Sequence, residues 1–262
     1  MIEEFQKVVD WSMDVVEIRA KGALTKSKIP GVEYVINPYI GCGHGCRYCY
    51  AAFMSNWSRY HAKSAWGTFV EVKVNIAEVL RDELSRKRKR GAVLLSSTCD
   101  PYQPVEAQFG LTRECILLLD QFGWGIDILT RSPLVTRDIG LLRSMSNVTV
   151  GFSIPTDNDQ IREVLEPQSP SIAARLEALK ELHRAGIKTW VFIAPMLPMN
   201  PEKLHEAVAP YVSYVMIDRL NYQGKVRSLL YEKGLDYALT ESYATEMESK
   251  LIILFGEKAE IV

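Results

Sequence analysis

The chain has 262 residues, 47% of them hydrophobic and 24% charged, with a formal net charge of −1. That is ample material for the buried core of one α/β domain of barrel size, and it excludes the whole-chain positive field that draws proteins to nucleic acid, though not a local basic groove. The opening stretch MIEEFQKVVDWSM has no basic head and apolar run, and no run of ~18 apolar residues follows anywhere, so we expect a cytoplasmic chain without leader or membrane helix.

In chain order, apolar runs predict strands at 33–37, 70–74, 92–96, 125–129, 148–153, 188–194 and 214–217. Helical periodicity falls between them, at 76–89, 112–122, 171–185 and 201–208, and a closing helix is predicted at 242–254. Ser169-Pro170-Ser171 reads as a helix start and Ala185-Gly186 as a stop. Such alternation with short connections predicts an α/β fold with parallel strands, and in barrels of this kind chemistry sits where strands end. Ser97–Asp100, Thr130-Arg131, Ser153 and 195–200 each follow a predicted strand. No internal repeat or low-complexity linker occurs. We therefore read 1–262 as one domain: an extension at 1–30, a core at 31–220 and a helical segment at 221–262. The basic run 86–90 reads as a solvated helix end, or alternatively as a phosphate-contacting patch.

Three of the five cysteines, Cys42, Cys46 and Cys49, stand in CxxxCxxC spacing within Gly41–Tyr50. Clustered cysteines in a reducing compartment are metal ligands rather than disulfides. Three thiolates ligate three irons of a 4Fe–4S cubane, where ordinary clusters use four, so one iron is left for an outside ligand. Gly41, Gly43 and Gly45 let the backbone wrap closely around a bulky group. A zinc site made of the three cysteines and His44 is the plainer alternative. Cys115, inside an apolar helical run, reads as a buried thiol. His44, His61, His183 and His205 show no ligand spacing among themselves, and Tyr60 and His61 read as surface positions.

The cysteine motif resembles that of the radical S-adenosylmethionine (SAM) superfamily, and much of the chain resembles its spore photoproduct lyase-like branch, often labelled DNA repair photolyases. The matching pieces run in order: Ile36-Asn37-Pro38-Tyr39, the cysteine loop through Ala51, Ser97–Pro104 with Glu106, Leu111-Thr112-Arg113, Leu129–Ser132, Arg137-Asp138, Phe152-Ser153-Ile154, Leu165-Glu166-Pro167, Arg175-Leu176, Ala185-Gly186-Ile187 and Ala194–Pro198. The resemblance implies a partial (β/α)6 TIM-like barrel, a 4Fe–4S cluster on Cys42, Cys46 and Cys49, and SAM on the open iron. It also implies an electron donor such as flavodoxin or ferredoxin, and reductive cleavage of SAM to a 5′-deoxyadenosyl radical that abstracts hydrogen from an unactivated C–H bond. The cofactors carry that chemistry; the protein orients them and excludes water.

Carried residue by residue, the resemblance puts Tyr48 near the adenine and Ser97–Asp100 at the methionine end of SAM, with Asp100 as acceptor for its ammonium. It puts Arg131 near the carboxylate and ribose, where relatives have Lys, and Ser153 at the ribose hydroxyls. Glu166 either binds substrate or orients Arg175. Cys99 stands where relatives have Ser or Thr, either as a neutral small residue or as a thiol within reach of the radical. The lyase that gives the branch its name has a hydrogen-donating cysteine where this chain has Ser97, so thymine-dimer repair does not simply transfer. No cysteine follows Cys115, so we expect no auxiliary cluster, and 262 residues are too few to hold a cobalamin-binding domain beside the barrel. The resulting expectation is a lyase-like radical SAM enzyme acting on a nucleic acid or nucleotide. A modifier of peptide or small molecule, and a non-enzymatic metal-binding module, stand as alternatives.

Overall fold

The computed structural model describes residues 13–262; apart from Met13, the N-terminal stretch read above for a leader lies outside the described residues. In chain order the strands are β1 (Asp14–Ile18), β2 (Thr25–Lys26), β3 (Tyr34–Ile36), β4 (Tyr39–Ile40), β5 (Phe69–Lys73), β6 (Ala92–Leu95), β7 (Gly125–Thr130), β8 (Val148–Ser153), β9 (Lys188–Ile193), β10 (Val215–Ile217) and β11 (Ala259–Ile261). Eight of them form one sheet in the order β11-β10-β9-β8-β7-β6-β3-β2. Every neighbouring pair is parallel except β2–β3.

The stretch from β3 to β10 contains six parallel strands in chain order, so the fold is an α/β partial (β/α)6 barrel. Its strands are apolar rather than alternating because helices cover the outer face while the inner face is filled. Ile36, Leu95, Ile128, Val150, Ile193 and Ile217 are all completely buried. The Ile76–Arg86, Leu111–Gln121, Ile172–Arg184 and Pro201–Val208 helices supply the cover, each burying one face. Ser171 accepts from the Ala174 amide at 3.2 Å, and Gly186, at φ +80, ends that helix, as the sequence predicts. Among the described residues no helix is long and apolar enough to cross a membrane.

One predicted strand belongs elsewhere. The 70–74 run forms β5, which lies in a separate three-stranded sheet, β1-β5-β4. The chain leaving the cysteine loop returns to pair antiparallel with β4, Tyr39 opposite Val72, and β1 joins it in parallel. Pairing of this kind is non-local and leaves no mark on the run itself. The basic residues 87–90 join a helix C-terminus to the start of β6, at the end of the barrel opposite the strand C-termini. Lys87 lies 4.4 Å over the Tyr34 ring there. Residues 86–90 are exposed, which both readings of the run require.

Candidate functional site

The cysteine loop leaves β3 and is held by neighbours distant in sequence. Gln103 accepts from the Gly43 amide at 2.8 Å and donates to the Gly41 carbonyl at 3.2 Å. Gly41 has φ +87, and a Cβ there would run into the Phe69 carbonyl oxygen. A Cβ on Gly67, at φ +95, would sit 2.7 Å from the Gly45 Cα, so the loop closes only with glycine at these places.

Cys42, Cys46 and Cys49 are free thiols. Burial pushes all three up in pKa, Cys46 to about 12. Cys42 is raised further by Cys46, and Cys46 by Cys49, so the sulfurs form one electrostatic group. Arg131 pulls Cys46 and Cys49 back down. Such thiols stay protonated until a cationic centre displaces the proton. Among the described residues no three His, Cys, Asp or Glu side chains are arranged to hold a single metal ion.

The strand C-termini converge beside this loop. After β3, the Asn37 side chain accepts from the Ser97 amide at 3.0 Å, the Thr98 amide at 2.9 Å and the Thr98 hydroxyl at 3.0 Å, tying the end of β6 to β3. Asp100 is buried. Its Oδ1 accepts from the Tyr102 amide at 2.8 Å and the Thr130 hydroxyl at 2.6 Å; its Oδ2 accepts from the Arg131 amide at 2.7 Å and faces His44 Nε2 at 3.4 Å. Burial alone would raise this carboxyl, but the His44 ring and the bonds from Thr130 and Arg131 outweigh it and hold it at about 2. A carboxylate has about four lone-pair positions; three of these accept hydrogen bonds, and the fourth faces His44 Nε2 without one. These three bonds make Asp100 an organiser of the strand ends and leave one Oδ2 position facing only the His44 ring.

Glu166 is the second organiser. It is fully buried and accepts from the Tyr48 hydroxyl, from Arg131 Nε at 3.1 Å and from Arg175. Arg131 also donates to the Tyr48 hydroxyl at 3.2 Å. Arg175, itself fully buried, donates to the Ser153 carbonyl at 3.0 Å. Of the two sequence readings of Glu166, the structure contains the Arg175 pair and adds Arg131 and Tyr48. One network thus joins Tyr48, Arg131, Glu166, Arg175 and the backbone of Ser153. The Ser153 hydroxyl and both His44 ring nitrogens are buried without a hydrogen-bond partner.

Cys99 lies beside this network, its sulfur 3.4 Å from the Ser96 hydroxyl and 3.9 Å from Asn37 Oδ1. Burial pushes its thiol up to about 11. Tyr50, next to Cys49, donates its hydroxyl to the Ser97 carbonyl. Cys115 is completely buried away from these groups, in the apolar core. His61 is not on the surface. Only 3% exposed, it stacks on Phe69 and lies 3.2 Å from Glu71 and 3.1 Å from Asp14, because β1 and β5 close over it; Tyr60 is exposed. Sequence reasoning left Asn37, Gln103 and His44 without these roles. The one signal was that all of them fall inside the motif pieces singled out above.

Two cavities flank the loop. One, of about 480 Å³, lies past the ends of β9 and β10 and is lined by Met196, Arg219, Tyr222, Lys225 and Tyr243. The other, of about 400 Å³, is lined by Lys26, Lys28, Asn37, Tyr50, Lys73 and Ser97.

Comparison with known proteins adds the following. The model of the Radical SAM superfamily matches residues 36–209. An uncharacterized protein of Methanocaldococcus jannaschii is 35% identical over 233 residues, covering 88% of this chain and 86% of that one. An uncharacterized protein of Mycobacterium tuberculosis is 33% identical over 191 residues; the match covers 70% of this chain and 56% of that relative, just over half its length. A structure of a spore photoproduct lyase double mutant with bound AdoMet and dinucleoside spore photoproduct superposes with a TM-score of 0.68 at 16% identity, covering 96% of this chain and 82% of that one. At that identity the likeness is one of fold.

Proposed function

The chain belongs to the radical SAM superfamily, and we propose that it works there on a nucleic acid or nucleotide, in a lyase-like reaction. It is an enzyme of a family whose cofactors are a 4Fe–4S cluster and SAM, and whose members need a reductant. A flavodoxin or ferredoxin would fill that last role. When bound, the two cofactors supply a one-electron cleavage that delivers a carbon-centred radical.

The residues present fit those groups. Cys42, Cys46 and Cys49 would hold the cluster: they are free, adjacent in charge and not arranged for a single ion, which weighs against the zinc alternative. SAM would lie across the strand ends, between Tyr48, Ser97, Arg131 and Ser153. Ser153 offers an unpaired buried hydroxyl, and Arg131 is held in place by Glu166. Asp100 would accept the SAM ammonium on the Oδ2 position that faces only the His44 ring, while its bonds to Thr130 and the Arg131 backbone fix the strand ends. Cys99, kept protonated by burial, holds the S–H form that a hydrogen-atom donor needs.

The observation that carries the substrate reading is the composition of the face beside the cluster loop. From Tyr34 to Val70 the sequence has no Asp or Glu. Arg47, Arg59 and Lys63 are exposed within it, interleaved with exposed Tyr50, Phe53, Trp57 and Tyr60. Cations for phosphates and rings for bases are what a sequence-tolerant nucleic-acid surface requires. The test is substrate-dependent formation of 5′-deoxyadenosine by the anaerobically reconstituted enzyme across nucleic acids, nucleosides and peptides. Turnover on DNA or RNA that weakens steeply with salt is the expected result. Salt-independent turnover of a peptide, with no nucleic-acid binding at low salt, would refute the substrate reading and leave the cofactor chemistry standing.

A further inference from the structure

The Tyr50 and Tyr222 rings face each other at the boundary between the two cavities: Tyr50 lines one, Tyr222 the other. Their planes are 24° apart and their centroids 6.2 Å apart, and both rings are about half exposed. We propose that this pair is a slot that takes one planar ring of the substrate, a nucleobase, between two tyrosine faces. The proposal rests on the nucleic-acid reading above and adds the place and mode of base recognition.

Three features of the site argue for it. The first is spacing. A ring inserted between two aromatic faces needs about 7 Å, two contacts of roughly 3.5 Å each. The centroids stand 6.2 Å apart, toward the wide end of the range for direct stacking, and an outward movement of Tyr222 would widen the gap to admit a base. Tyr50 is the fixed wall, since its hydroxyl is bonded to the Ser97 carbonyl. Tyr222 is the adjustable wall, on the exposed turn 221–225 that follows β10, with no hydrogen bond of its own hydroxyl among those found.

Position is the second. Tyr50 follows Cys49 directly, and its hydroxyl feels Cys49, Cys99 and Tyr222 as electrostatic neighbours. Lys225, three residues beyond Tyr222, is itself a neighbour of the Cys49 thiol. A ring held here would present its edge beside both the cluster loop and Cys99.

Charge is the third. Exposed Lys225 and Arg227 lie on the Tyr222 side, and exposed Lys26 and Lys28 on the Tyr50 side. The slot is thus open at both ends toward cations able to meet the phosphates flanking a base. Arg219 lines the same cavity but is engaged by Glu241 and Glu248, so it is not counted among them.

The test uses the reconstituted holoenzyme with SAM and two short single-stranded oligodeoxynucleotides of equal length and charge. One carries 2-aminopurine at its centre and the other an abasic site there. The expected result is that 2-aminopurine fluorescence is quenched on binding and that the abasic strand binds more weakly. Tyr222→Ala should weaken binding of the base-bearing strand by about 5- to 150-fold, the range of aromatic–base stacking, and remove the quenching. Tyr222→Trp, which restores a ring, should bind within about threefold of the parent. Because Tyr222 is 53% exposed, neither change disturbs the core. Equal binding of both strands, with no effect of Tyr222→Ala, would overturn the slot while leaving nucleic acid as the substrate. Failure of both strands to bind at low salt would overturn the slot and the nucleic-acid reading together.

Discussion

Replacing Glu166 by Gln tests the network that holds Arg131. The carboxylate is fully buried and shared by Tyr48, Arg131 and the fully buried Arg175. Gln keeps the shape and removes the charge, so the fully buried Arg175 and the 20%-exposed Arg131 lose their counter-ion. Removing one partner of a buried pair costs about 3–5 kcal/mol. The carboxyl itself gives a matching figure. Burial would raise it, but Arg175 and Arg131 overcome that and hold it at about 2 rather than 4.5. At ~1.4 kcal/mol per unit that is about 3 kcal/mol. A carboxyl depressed in the folded state stabilises fully above its unfolded value, so this contribution is complete above about pH 4.5 and is lost as pH falls toward 2. Urea unfolding of the cluster-free protein at pH 7 should therefore show Glu166→Gln less stable by about 3 kcal/mol, a large part of a typical total of ~5–15 kcal/mol. The gap should narrow below pH 4.5. A loss under about 1 kcal/mol at pH 7, or a gap that does not change with pH, would refute the view that this ion pair holds the strand ends.

Other outcomes follow from the same geometry. Anaerobic reconstitution should load about four irons and four sulfides per chain, as for a cubane, and Cys42→Ala, Cys46→Ala or Cys49→Ala should abolish loading; stoichiometric zinc without iron would sink that assignment. Arg131→Ala should weaken SAM binding by about 10- to 150-fold, the worth of a charge-assisted hydrogen bond, read by titrating the reduced cluster under electron paramagnetic resonance. Asp100→Asn turns an amide NH2, itself a donor, toward the donors of Tyr102 and Thr130 or of Arg131. It should lower folding stability by about 1–3 kcal/mol as well as SAM affinity, whereas a residue touching only SAM would leave stability alone. Cys99→Ser should change the ratio of products once a substrate is in hand, because a hydroxyl is a poor hydrogen-atom donor; an unchanged product ratio would make Cys99 a packing residue.

The sequence by itself determined the barrel and the cofactor chemistry. Six of seven predicted strands became the six parallel strands β3 to β10, because a strand buried on both faces has to be written as a continuous apolar run, and such a run is legible locally. CxxxCxxC was legible for the same reason: the three thiols lie within eight residues, so their spacing along the chain fixes their spacing in space. Tertiary structure alone decided the rest. It moved β5 into a second sheet with β1, and it buried His61 between Asp14 and Glu71. It brought Asp100 its donors from Thr130 and the Arg131 backbone, about thirty residues away, and it made Glu166 the meeting point of Tyr48, Arg131 and Arg175. It also set Tyr222 opposite Tyr50 across more than 170 residues of chain. The physical reason is one of range. Apolar burial and backbone bonding within a strand or helix leave a period in the sequence. A polar side chain instead takes its role from whichever partners the folded strand ends bring to it, and those partners lie tens of residues away with no period to mark them.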